Sequence, residues 1–301
     1  MRNMRRVILA GLLVFFSRVG GLAAAPPATR PAAERRPLAF VFIGESNSGG
    51  LGRNVQATPG EMAPRPSVQI LKLDDGPFAF EDLRLGVNNI KDHAGLDGFR
   101  ATCHGWENEL ANAVADGALP GYQRVYLVKA GQGGSRVAQW GERSDYWLKF
   151  AQRTDAARRQ LGGEPQWVVW LSLGINDAIA RTPIATWKTD VADYLRRIRQ
   201  QLPGARIVMT RFESMGYPAI NQAIQEIVAA QQDVAAIDST GATLADANHW
   251  DYRGLKTVTR RLLAATQERL GAAPVADKAP ATTQARGGGP PVEPALRDGP
   301  K

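Results

Sequence analysis

Short apolar runs recur through the middle of the chain, at Leu38–Ile43, Arg124–Lys129, Trp167–Leu173, Arg206–Thr210 and Val234–Ile237. Runs this short and this uniformly apolar suit strands buried on both faces of a parallel sheet. Segments with helical spacing separate them. Val191, Leu195, Ile198 and Leu202 share one helical face, and Leu255, Val258 and Leu262 share another. Strand–helix alternation of this kind predicts a three-layer α/β/α sandwich around a central, mostly parallel five-stranded sheet with right-handed crossovers. In such sheets ligands bind beyond the carboxyl ends of the strands, so the loops following each run are where chemistry is sought.

The pattern changes at both ends. Arg2, Arg5 and Arg6 precede an apolar stretch from Val7 to Phe16, and Ala23-Ala24-Ala25 follows. This order predicts an export signal over residues 1–25, with an uncleaved anchor as the other reading. Arg18 interrupts the apolar run well short of the roughly 20 residues a spanning helix needs. Residues 26–37 read as a Pro/Ala/Arg linker, and residues 271–301, rich in Ala, Pro and Gly, as a disordered tail. One folded domain is expected over 38–270, with a periplasmic or extracellular location.

Composition narrows the options. With 301 residues, 44% hydrophobic and 22% charged, the chain is not a fibrous or wholly disordered protein. Cys103 is the only cysteine, which excludes an intramolecular disulfide and a Cys-based zinc site. The net charge of +8 falls to +4 once the acid-free first 25 residues are set aside. Arg153, Arg158, Arg159, Arg196, Arg197, Arg199, Arg260 and Arg261 are expected on outward helix faces. They lack the interleaved aromatics of a nucleic-acid surface, so a solvated basic face is expected and no nucleic-acid partner.

Four strand-end segments carry candidate chemistry. Gly44-Glu45-Ser46-Asn47-Ser48-Gly49-Gly50 follows the first run. It reads as a Gly/Ser turn or as a tight turn presenting a serine hydroxyl, and it has neither P-loop spacing nor the Gly-x-Ser-x-Gly elbow. The segment Gly131-Gln132-Gly133-Gly134-Ser135 can leave backbone N–H groups accessible, as an oxyanion hole requires. Gly174-Ile175-Asn176-Asp177 offers a side-chain amide, or an Asx turn or cap. Asp246-Ala247-Asn248-His249 places a carboxylate three residues before a histidine, able to reach its Nδ1–H from a loop or single turn. His93 reads as solvated, and His104 as a support to the site. Asp74, Asp75, Glu81 and Asp82 lack metal-ligand spacing and read as a solvated loop. Phe78, Phe80, Phe99, Trp140 and Trp250 are packing residues or sugar platforms, and Val68–Leu73 an edge strand.

The order and placement of these blocks resemble the SGNH (GDSL-like) hydrolase superfamily. Gly-Glu-Ser-Asn, Gly133-Gly134-Ser135 followed by Gln139-Trp140, and Gly105-Trp106-Glu107 are similar to the sialate O-acetylesterase-like and acetylxylan-esterase-like branch. Two features depart from that branch. Glu45 stands where it usually has glutamine, and Gly-Ile-Asn-Asp is closer to lipase-like and thioesterase-like members. The resemblance spans residues 38–265 and implies the flavodoxin-like SGNH fold. It implies a catalytic set of Ser46, Asp246 and His249, and an oxyanion hole of the Ser46 and Gly133 N–H groups with the Asn176 amide. Gly131 or Gly134 stands in for Gly133 if the register differs by a residue or two. The implied activity is esterase action on an acylated carbohydrate or small ester through an acyl-enzyme, with no cofactor and no metal. A glycan O-acyltransferase and a catalytically silent carbohydrate-binding relative are the other readings.

Overall fold

The computed structural model describes residues 36–72, 78–89 and 102–271. The expected signal segment, most of the 26–37 linker, the tail beyond Gly271, and Asp74, Asp75, His93 and Phe99 lie outside the described residues.

The strands are β1 (Leu38–Gly44), β2 (Gly52–Arg53), β3 (Arg65–Leu71), β4 (Phe80–Leu83), β5 (Cys103–His104), β6 (Val125–Lys129), β7 (Gln166–Ser172), β8 (Arg206–Thr210), β9 (Val234–Ile237), β10 (Leu244–Asp246) and β11 (His249–Trp250). The helices are α1 (Ser46–Gly49), α2 (Pro59–Met62), α3 (Glu107–Ala115), α4 (Asp145–Gln160), α5 (Ile175–Ile179), α6 (Ile184–Gln201), α7 (Pro218–Ala229) and α8 (Tyr252–Leu270). The main sheet runs β4-β3-β6-β1-β7-β8-β9. All five apolar runs became strands of it, and taken alone they follow the 2-1-3-4-5 order of flavodoxin-like folds.

The sheet has seven strands where five were expected. β3 pairs parallel with β6, and β4 pairs antiparallel with β3, so β4 and not the expected 68–73 segment forms that edge. Only part of β3 is buried. β1, by contrast, is buried at every position, as a strand between two parallel neighbours and beneath helices must be.

Aromatic packing fixes the centre. Phe40 and Phe42, two residues apart on β1, point to one face, where the Phe42 ring stacks on Trp170 of β7 with centroids 4.9 Å apart. Trp106 meets Phe42 edge-on at 5.4 Å, and Trp170 Nε1 donates to Thr266 Oγ1 of α8 at 2.9 Å. Large rings of this kind dominate core burial, and the indole N–H needs its partner once buried. α3 and α8 pack together over this face, while α6 packs against α7 and against the 3-10 turn Val137–Trp140. β1 sits between β6 and β7, at the point where the strand order reverses. The loops leaving β1, β6 and β7 are therefore neighbours, and they are the three glycine-bearing blocks picked out in the sequence.

Candidate active site

The first block turns sharply. Gly44 has φ +121°, a left-handed value that an L side chain rarely adopts, and a Cβ there would lie 1.9 Å from Ser172 O. The chain can then bend at once from β1 into the single turn α1. Glu45 N donates to Ser172 O at 2.8 Å, and Gly50 N closes the turn on Ser46 O at 2.9 Å. Gly50 also lies against Gly105, where a Cβ would sit 2.2 Å from the Gly105 Cα. Backbone thus packs directly on backbone beneath the serine.

A buried ion pair supports this turn from β6. Lys129 Nζ lies 2.8 Å from Glu107 Oε2 and donates to Gly49 O at 3.2 Å, while Glu107 Oε1 accepts from Gly105 N at 2.8 Å. Burial pushes the Lys129 ammonium down, and the Glu107 charge opposes that shift. Sequence reading missed this pair, because a lysine ending an apolar run looks like a strand terminus until its partner is known. Glu107 was legible only as part of the Gly-Trp-Glu block.

His249 arrives from the other side on a small hairpin, β10–β11, where a loop or a single turn was expected. Its Nδ1 lies 2.8 and 2.9 Å from the two carboxylate oxygens of Asp246, and Asp246 Oδ1 also accepts from Asn248 N at 2.8 Å. Burial alone would raise the Asp246 carboxyl. The hydrogen bonds from Asn248 and His249 outweigh it and hold the group below its usual range. His249 Nε2 is 2.8 Å from Ser46 Oγ. Ser46, His249 and Asp246, with Ser46 and His249 203 positions apart in sequence, are brought into one hydrogen-bonded line. Asn47 staples the two elements, donating from Nδ2 to Asn248 O at 2.8 Å and accepting from Trp250 N at 3.4 Å. No sequence signal beyond its place after Ser46 pointed to this role.

The remaining predicted residues lie on the loops that follow β6 and β7. Gln132 N is used by Gly44 O at 2.7 Å, whereas the amides of Ser46 and Gly133 have no acceptor among the described residues. Asn176 Nδ2 donates to Ser135 O at 3.2 Å, which joins the β7 loop to the β6 loop and leaves its second amide hydrogen uncommitted. Neither Asn176 nor Gly133 is hydrogen-bonded to Ser46 among the described residues. Asp177, buried beside Asn176, accepts from Val137 N at 3.2 Å, and burial pushes its carboxyl up to about 6. A carboxyl raised on folding stabilises the native state below its unfolded value of 3.8, and that contribution is lost as pH climbs to about 6. Asp177→Asn is therefore expected to raise Tm relative to the parent protein by an amount that grows between those pH values and then levels off. Calorimetry across that range checks it, and a constant difference would refute it.

Other expectations change. Trp140 and Trp250 are fully buried and pack in the core, so neither is a sugar platform. His104 is buried with Nδ1 2.9 Å from Asn54 Oδ1. The basic residues form a solvated face only in part, with Arg159, Arg196 and Arg260 exposed. Arg153 and Arg197 are buried, the latter 5.2 Å over the Trp147 ring. Arg158, Arg196, Arg199, Arg260 and Arg261 are paired with Asp155, Asp193, Asp233, Glu109 and Asp238. Among the described residues no helix is long and apolar enough to cross a membrane.

Residues 38–268 match the family described as carbohydrate esterase, sialic acid-specific acetylesterase. The chain belongs to this carbohydrate esterase family. It is a carboxylic ester hydrolase, in line with the SGNH resemblance read from its four blocks. Among solved structures, an Arabidopsis thaliana protein is 20% identical, with 77% of this chain and 98% of that one covered and a TM-score of 0.64. NanS is 14% identical over 79% of this chain and 99% of its own, with a TM-score of 0.61. At these identities the two establish the esterase chain's fold. No curated protein sequence matches the chain.

Proposed function

We propose that this carbohydrate esterase is exported and removes acetyl or another short acyl group from a glycan through a serine-bound acyl intermediate. The observation that carries the reading is the line Asp246–His249–Ser46, with both contacts at His249 2.8 Å long. A serine hydroxyl is a weak nucleophile until a base takes its proton. In this reading Ser46 Oγ bonds to the ester carbonyl carbon as its proton passes to His249 Nε2. Asp246 holds Nδ1–H and stabilises the imidazolium that forms. The same proton then leaves with the sugar oxygen as the C–O ester bond breaks. Water, deprotonated by His249, releases the acyl group as a carboxylic acid and restores Ser46.

The developing oxyanion needs donors already in place. The uncommitted amides of Ser46 and Gly133 and the second Asn176 hydrogen are the three assigned to it. Removal of one such donor costs roughly 10²–10³ in kcat. Asn176→Ala is expected to lower kcat by that order with a much smaller change in KM. Steady-state kinetics on an activated acetyl ester test this, and an unchanged kcat would remove Asn176 from the hole. Asp246→Asn is expected to cost about 10⁴ in kcat, because the amide favours the wrong imidazole tautomer.

Tyr217 links the line to a neighbouring cavity. Its hydroxyl donates to Asn248 Oδ1, beside His249, and Tyr217 lines a cavity of about 280 Å³ with Ala178, Arg181, Thr182, Pro218 and Ile220. We assign the acylated sugar to this side of the site. Acetate release from O-acetylated sugars, compared with Tyr217→Ala, tests the placement. Export rests on the Arg2–Ala25 pattern, and recovery from culture medium or periplasm tests it.

A further inference from the structure

Ser46 Oγ has two neighbours at hydrogen-bond distance, not one. His249 Nε2 lies 2.8 Å away on one side, and Glu45 Oε2 lies 2.8 Å away on the other. Counting protons along this chain decides what Glu45 must be. His249 Nδ1 faces two carboxylate oxygens, so it carries a hydrogen, and neutral His249 offers only a lone pair at Nε2. An ionised Glu45 also offers only lone pairs. The single hydroxyl hydrogen of Ser46 cannot serve two acceptors, so the chain Oε2···Oγ···Nε2 needs a second proton. That proton is on Glu45 or on His249. A base must be neutral to act, and that leaves Glu45.

We propose that Glu45 is a positioning residue, held as a neutral carboxylic acid that donates to Ser46 Oγ and directs the serine hydrogen toward His249. The proposal rests on Ser46 being the nucleophile. The surroundings favour the neutral form. Glu45 is buried, Oε1 accepts from Ser172 Oγ at 2.7 Å and from Asn47 Nδ2 at 3.2 Å, and Asn47 N reaches Oε2 at 3.3 Å. These donors are all neutral, and no Lys or Arg forms an ion pair with Glu45 among the described residues. Burial raises its carboxyl and the hydrogen bonds only partly offset the shift.

The titratable groups around it are accounted for. His249 and Asp246 come from the β10–β11 hairpin, reached through Ser46. Tyr217, ahead of α7, has its hydroxyl pushed up by burial first and by a charge on Glu45 second, a contribution present only once Glu45 ionises. Lys129 of β6, bonded to Gly49 O at the end of α1, is closed on Glu107 of α3. β1 and β7 supply no charged partner to Glu45. When Glu45 ionises, the serine hydrogen is drawn away from His249, and a negative charge stands beside the atom that must attack.

The pH dependence of kcat/KM for the parent protein, Glu45→Gln and Glu45→Ala tests this. Glutamine donates from its amide at every pH. For the parent, kcat/KM should fall about tenfold per pH unit above the Glu45 ionisation. The ratio of Glu45→Gln to parent should rise with the same slope, while Glu45→Ala should lose up to about 10²-fold throughout as the serine is released from its position. Coincident profiles for the parent and Glu45→Gln would overturn the proposal. So would the absence, at the pH of maximal kcat/KM, of a protonated-carboxyl infrared band that Glu45→Gln removes. Persistent turnover by Ser46→Ala would instead defeat the underlying serine mechanism, so the two failures are distinguishable.

Discussion

Ser46→Ala is expected to abolish ester hydrolysis, with kcat down by at least about 10⁴ and toward 10⁶, and to leave the fold intact. Removal of the nucleophile of such a triad leaves only the contributions of binding and the oxyanion donors. The hydroxyl makes two side-chain contacts, with Glu45 and His249, and each partner keeps other bonds once it is gone. Glu45 retains Ser172 and Asn47, and His249 retains Asp246. Tm should therefore move by little. His249→Ala should cost a similar factor, and the double variant hardly more than either single one, because the two act as a unit. Additive losses would mean that the two residues work separately.

Gly44→Ala is expected to have the largest effect on folding. The new Cβ would meet Ser172 O at 1.9 Å, and the backbone would have to hold φ +121° with a side chain attached. Neither atom belongs to a flexible side chain, and Ser172 O already accepts from Glu45 N. Relief requires β1 and β7 to separate at the centre of the sheet. A loss of more than about 3 kcal/mol is expected, in the class of core overpacking combined with backbone strain. For a domain of this size that lowers Tm by on the order of 10 °C. Activity should fall further than the folded fraction, since the displaced turn carries Ser46. A Tm within 2–3 °C of the parent, a shift of only about 1 kcal/mol, would contradict the close β1–β7 approach described for the site.

Much of this architecture was legible because burial leaves a direct mark on sequence. Strands covered on both faces are apolar along most of their length, so β1, β6, β7 and β8 stood out, and the edge strand β9 did so because all four of its residues are apolar. β3 and β4 did not, since a lateral strand with one face open reads as a mixed segment, and β4 contains Glu81 and Asp82. Ser46, His249 and Asp246 were named together only through the family resemblance that the strand-end blocks carry. Its geometry depended on a two-strand hairpin too short to have a periodic signal. Charged residues misled most. Arg153 and Arg197 looked like surface residues, yet their stems and guanidinium groups are buried against carbonyls and an indole ring. Lys129–Glu107 could not be paired without the fold. Glu45 was visible only as a departure from a motif, and its meaning emerged from the two contacts at Ser46 Oγ.

The proposed esterase mechanism stands on Ser46 as the nucleophile. Labelling by a serine-directed phosphonate, with the adduct located by peptide mass mapping and residual acetyl-ester turnover measured in the same sample, tests it most directly. One adduct is expected, on Ser46, formed in step with loss of turnover and absent in His249→Ala. Full turnover by protein carrying that adduct, or inactivation with Ser46 unmodified, would contradict it.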